Sequence, residues 1–129
     1  MAKFTCDHIH LRSPDPEATA KYYEKMFGAE IVRTTQGGET RIDLKLGGMD
    51  IFIAPVPPGS KVNPPPVTPY QGLDHFGLSV TNIEAVVAEL KAKGAEFTME
   101  LNEVRPGVFI SFVRGPQGVS IEVLERKAA

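Results

Sequence analysis

The sequence predicts an α+β fold made of two tandem βαβββ modules. Three observations carry this. Residues 7–18, DHIHLRSPDPEA, are repeated as residues 74–85, DHFGLSVTNIEA. Helix and strand signals follow each copy in the same order. A proline-rich stretch separates the two.

The repeat runs at an offset of 67 residues, at which Asp7 matches Asp74, His8 matches His75, Leu11 matches Leu78 and Glu17-Ala18 match Glu84-Ala85. After one deletion Gly28-Ala29-Glu30 matches Gly94-Ala95-Glu96. The first module, residues 1–55, opens on a strand in which Ile9 and Leu11 alternate with polar residues, the period of a half-buried strand. Asp15 and Pro16 mark a helix start, one as a capping side chain and the other as a residue with no N–H to satisfy. Gly28 ends that helix as a C-terminal glycine. Strands follow at about 29–36, 39–46 and 49–55, turned at Gly37-Gly38 and Gly47-Gly48.

Residues 56–72 form the linker. Seven of the eleven prolines lie between Pro55 and Pro69, too dense for a helix or a central strand. The second module, residues 73–129, repeats the pattern with a strand on Phe76, Leu78 and Val80. A helix then runs from Asn82 to Gly94, and strands follow at about 96–104, 108–114 and 119–126. Turns fall at Pro106-Gly107 and at Gly115-Pro116-Gln117-Gly118.

Successive strand side chains point to opposite faces, so parity sorts them. Ile9, Leu11, Ile42, Leu44, Phe76, Leu78, Ile121 and Val123 fall on the side that packs against the helices. His8, His10, Arg12, Arg41, Asp43, Lys45, His75, Ser79, Ser120 and Glu122 fall on the other. Solvation accounts for charges such as Arg41 and Lys45. It accounts less well for His8 and His75, which hold equivalent positions in the two repeats, or for a lone carboxylate within Ile121-Glu122-Val123-Leu124.

Composition sets outer limits. With 129 residues, 42% hydrophobic and 23% charged, the chain suits one compact domain or two small modules. A net charge of −2 supplies no basic face for nucleic acid or an anionic membrane. No stretch reaches the roughly 20 apolar residues of a membrane span. The first residues lack the apolar core of a secretory signal, and Cys6 is the single cysteine. The expected compartment is the cytoplasm.

The pattern His8-x-x-Leu11-Arg12-x-x-Asp15, followed by AKYYEKMFGAEIV, resembles the opening of glyoxalase I in the vicinal oxygen chelate superfamily. Gly72-Leu73-Asp74-His75-Phe76-Gly77-Leu78 is similar to the start of that family's second module. Gly115-Pro116-Gln117-Gly118-Val119-Ser120-Ile121-Glu122 resembles its closing turn and strand. Bleomycin-resistance proteins, fosfomycin-resistance transferases and extradiol dioxygenases share the architecture.

The resemblance implies one glyoxalase-like domain in which paired modules form a cupped eight-stranded mixed sheet with the helices outside. It also implies one divalent metal per chain, held by His8, His75 and Glu122. These donors suit Fe(II), Mn(II), Ni(II), Zn(II) or Co(II). It further implies a small-molecule substrate with vicinal oxygens and a homodimer. Substrate-binding candidates are Arg12, Arg41, Lys45, Phe52, Ser79 and Ser120, with the cations favouring an anionic substrate.

The chain departs from glyoxalase I at the fourth ligand. Aligning residues 51–53 with 121–123 puts Phe52 there, and Asp43 and Asp50 are the alternatives. Two histidines and one carboxylate leave positions open for substrate or dioxygen, which favours oxygenase-type chemistry over that of a lyase or isomerase. Phe112 stands where extradiol dioxygenases carry a tyrosine, and His10 where fosfomycin transferases carry a threonine. His10, roughly 7 Å along the strand from His8, is either a general acid or base or a hydrogen-bonded residue of the rim. A metal-free binding protein of the bleomycin-resistance type is the rival from another class.

Overall fold

The computed structural model describes residues 2–128. The chain divides into two compact units, residues 1–63 and 64–129. The first contains β1 (His8–Ser13), α1 (Pro16–Phe27), β2 (Glu30–Gln36), β3 (Glu39–Leu46) and β4 (Met49–Pro55). Its sheet has the order β1-β4-β3-β2. β1 and β4 run parallel, and the other pairs are antiparallel.

The second unit repeats the plan. It contains β5 (Phe76–Ser79), α2 (Ile83–Ala92), β6 (Glu96–Arg105), β7 (Val108–Arg114) and β8 (Ser120–Arg126). The order is β5-β8-β7-β6, with β5 and β8 parallel. The eight expected strands are thus hydrogen-bonded four to each unit as two mixed sheets. β8 begins at Ser120 because Pro116–Gly118 form a short 3₁₀ turn with Gln117 at φ 62°. Residues 56–72 take neither helix nor strand, as their prolines require.

Both helices begin and end on local chemistry. The Asp15 carboxylate accepts the Ala18 N–H at 3.1 Å at the start of α1. At its end Gly28 adopts φ 71°, which lets its N–H reach the Glu24 carbonyl at 3.0 Å and the Ala29 N–H reach the Tyr23 carbonyl at 3.2 Å. Asn82 caps α2 through Ala85. The Glu125 carboxylate, reaching from β8, accepts the N–H groups of Asn82 and Ile83 at 3.1 and 2.9 Å.

Each unit fills its own core. Ala20 and Tyr23 of α1 are buried with Leu44, Ile51 and Ile53 of the strands. In the second unit Ile83, Val87 and Leu90 of α2 are buried with Val113, Ile121 and Val123. Burying such a side chain contributes about 1.5–3 kcal/mol, so the apolar parity fixes which face of each sheet meets its helix. The other face is left to polar and ring-bearing side chains. Among the described residues no helix is long and apolar enough to cross a membrane.

Candidate metal centre

In the second unit His75 lies one residue before β5, and Glu122 lies in β8. β5 and β8 are parallel neighbours with Gly77 opposite Glu122, which sets the carboxylate beside the entrance of β5. His75 Nε2 is 3.2 Å from Glu122 Oε1, and the two side chains are 32% and 18% exposed. Two ligands of one small divalent ion, at bond lengths of about 2.0–2.2 Å, stand about 3.0–3.4 Å apart, so this pair fits such an ion.

The other ring nitrogen, His75 Nδ1, lies 2.8 Å from Asp74 Oδ2. Phe112, opposite Glu122 on β7, sets its ring edge-on to His75 with centroids 4.8 Å apart. Gly77 keeps the space open. A Cβ there would lie 3.2 Å from Leu124 Cδ2 and 3.4 Å from Glu122 Oε1.

In the first unit His8, His10, Phe52 and Arg41 gather on the face away from the helix. His8 Nδ1 lies 2.8 Å from Asp7 Oδ2, the contact that His75 makes with Asp74. The His8 ring lies against Phe52 with centroids 4.3 Å apart, and the Arg41 guanidinium sits 4.7 Å from the Phe52 centroid. His10 stands 6.3 Å from His8 and 6.5 Å from Phe52, ring to ring. A recess of about 600 Å³ opens beside His10, Arg41, Asp43 and Phe52 and extends to Asp15 and Glu17 at the start of α1.

The remaining predicted residues divide by their partners. Arg41 donates to Asp43 at 2.7 Å, and Lys45 donates to Asp50 at 2.8 Å. Asp43 also accepts the Ile53 N–H at 3.3 Å. The two alternative acidic ligands are therefore engaged in local pairs. The Asp50 pairing holds the Lys45 ammonium pKa above its ordinary value. Arg12 is exposed and makes no ion pair among the described residues. Ser79 stands beside Leu124 and Ser120 beside Arg114, at the two ends of the second unit's register.

The structure thus brings His75 and Glu122 together, while His8 belongs to the first unit with its own neighbours. Among the described residues no three His, Cys, Asp or Glu side chains form one metal-binding group. The strand-parity reading gave no role to Asp7 and Asp74. Their signal was the Asp-His dipeptide, present in both repeats.

The family Glyoxalase/Bleomycin resistance protein/Dioxygenase superfamily matches residues 5–123. The chain is 27% identical to a lactoylglutathione lyase of Haemophilus influenzae over 94% of its own length and 92% of that protein's. It is 28% identical to glyoxalase I of Saccharomyces cerevisiae over 92% of its own length, but spans only 44% of that longer protein. A glyoxylase/bleomycin resistance protein/dioxygenase domain from Frankia shares the fold at a TM-score of 0.76, with 21% identity over 99% of this chain and 96% of that one. With a duplicated βαβββ plan and a family match over nearly its whole length, the chain belongs to the glyoxalase/bleomycin resistance protein/dioxygenase superfamily.

Proposed function

We propose that the protein is a divalent-metal-dependent enzyme acting on a small anionic substrate with adjacent oxygen atoms. His75, Glu122 and His8 are the proposed ligands, with His8 contributed by the same chain or by a second copy in a homodimer. The observation that carries this reading is the convergence of His75 Nε2 and Glu122 Oε1 at 3.2 Å.

A bound divalent ion supplies Lewis acidity or, where the metal is iron, a redox centre. The chain's own residues do the rest. Arg12, which unlike Arg41 and Lys45 makes no ion pair among the described residues, is the candidate cation for an anionic group. His10 is placed to hold or move a proton at an imidazole nitrogen. Phe52 and Phe112 wall the rings of His8 and His75 with apolar surface. With Phe52 where glyoxalase I has a fourth ligand, the donor set is two imidazoles and one carboxylate. That set favours oxygenase-type chemistry.

The second reading, lyase chemistry, is favoured by relatives that are named lactoylglutathione lyases at 27% identity. Elemental analysis of protein purified without chelators or a metal-affinity tag tests the shared premise. About one equivalent per chain is expected, with most of it lost in His75→Ala and in Glu122→Ala. Full metal retention in His75→Ala overturns the assignment. Oxygen uptake by the Fe(II)-loaded protein with vicinal-diol and hydroxy-acid substrates, set against S-lactoylglutathione formation, separates the two chemistries.

A further inference from the structure

We infer that Asp7 and Asp74 are positioning residues, each fixing the tautomer of the histidine that follows it so that Nδ1 carries the proton and Nε2 presents its lone pair. His8 Nδ1 and His75 Nδ1 each lie 2.8 Å from the Oδ2 of the preceding aspartate. The same atoms meet at the same distance in both repeats. An ionised carboxylate only accepts hydrogen bonds, and a neutral imidazole has one donor and one acceptor nitrogen. At His8, where Asp7 is the one carboxylate in contact among the described residues, the proton of the neutral ring therefore sits on Nδ1, and at His75 the Asp74 contact of 2.8 Å is preferred over the longer 3.2 Å approach of Glu122 to Nε2.

The consequence is sharpest at His75. With Nδ1 as the donor, Nε2 faces Glu122 Oε1 lone pair to lone pair across 3.2 Å. Two acceptors at that distance are held together by a proton or a metal ion between them. Carboxylates that fix ring orientation in this way strengthen metal binding elsewhere by roughly 10–100-fold.

The contact exists because both aspartates lie outside the strands. β1 begins at His8, and β5 begins after His75. Within a strand the adjacent side chains would point to opposite faces. The irregular backbone just upstream lets each carboxylate curl onto the neighbouring ring. Asp74 is 41% exposed and Asp7 is 85% exposed, so the hold is the firmer one at His75.

The metal-binding consequence rests on the function proposed above, but the tautomers do not, so the test starts with metal-free protein. Nitrogen-15 NMR of labelled histidines in alkaline buffer, where imidazole is neutral, should show Nδ1–H at His8 and His75. His10, for which the structure gives ring contacts only, should show the commoner Nε2–H form. Asp74→Ala should switch His75 to Nε2–H, leave His8 unchanged, and weaken Zn(II) binding roughly 10–100-fold. Asp7→Ala should do the same at His8 with a smaller loss of affinity. An Nε2–H form at His75 in the wild type, or an unchanged tautomer in Asp74→Ala, overturns the inference. Expected tautomers in a protein that binds no Zn(II) uphold the positioning role and overturn the metal centre.

Discussion

Phe52 stands opposite His10 across β1 and β4, in the place where Glu122 stands opposite Gly77 across β5 and β8. On the far side Phe52 faces Asp43 and Glu122 faces Phe112. The two units thus carry an aromatic ring and a carboxylate at the same pair of positions, in opposite order. In the second unit the carboxylate meets the histidine. In the first an aromatic ring meets it, and the carboxylate is turned to Arg41.

Phe52→Glu should therefore fold. Phe52 lies between the buried Ile51 and Ile53, but its own ring rests on His8 and under Arg41 on the opposite face. Its loss removes a cation–π contact of about 0.5–1 kcal/mol. The added carboxylate should tighten Zn(II) or Ni(II) binding and slow oxygenase-type turnover. Isothermal titration of the metal and a steady-state assay check this. Normal folding with unchanged metal affinity would remove position 52 from the metal centre.

Gly77→Ala tests how closely Glu122 is placed. Its backbone is not in the left-handed region, so the new methyl group acts by contact alone, against Leu124 and the Glu122 carboxylate. Metal affinity should fall a few-fold while Tm stays near the wild-type value. Unchanged affinity would show that the carboxylate has room to spare.

Tyr23 is fully buried, and its hydroxyl has no hydrogen-bond partner among the described residues. Burial pushes the phenol pKa well above its ordinary value, and Tyr22 acts in the same direction. An unsatisfied buried hydroxyl costs about 1–3 kcal/mol. Tyr23→Phe should accordingly raise stability by about 1 kcal/mol, seen as a Tm higher by a few degrees. A fall in Tm would mean that the hydroxyl is satisfied in solution.

The exposed Glu84–Lys127 pair ties α2 to the end of β8, with Nζ 2.6 Å from Oε1. The hydrogen bond from Lys127 lowers the Glu84 pKa below its ordinary 4.5, and the bond to Glu84 raises that of Lys127 above 10.5. A lowered carboxylate stabilises the fold above its unfolded pKa and loses that effect as pH falls through the folded value. A raised amine stabilises below its unfolded pKa and loses the effect as pH rises through the folded value. The small Tm difference between wild type and Glu84→Gln should be present between pH 4.5 and 10.5. It should fade below that range as Glu84 takes up a proton and above it as Lys127 loses one, and a difference independent of pH would refute the ion pair as its source.

Much of the fold was legible in the sequence because the repeat shows every element twice. Asp15, Asn82 and Gly28 mark helix ends by local chemistry, and Ile121 and Val123 mark a core face by parity. The cap that Glu125 supplies to α2 was not legible, since 43 residues separate it from Asn82 and only the parallel pairing of β5 with β8 brings them together. The pairing of Arg41 with Asp43, which share a strand and a face, was within reach of strand parity, whereas that of Lys45 with Asp50 depends on the β3–β4 register. The aspartates beside the two histidines were visible as residues but not as partners, because strand alternation sends neighbours apart.

The separate cores bear on how such a chain diversifies. Ile51 and Ile53 in one unit and Ile121 and Val123 in the other are all buried on the helix side, flanking Phe52 and Glu122. A change at either central position spares the interior of both units. Duplication thus leaves a spare copy of each ring-face position, and one copy is free to drift while the other is kept. Selection for a different reaction would act first at residues 43 and 52 in one unit and at 77 and 112 in the other, on the face of each sheet away from its helix, where a substitution spares the scaffold's core.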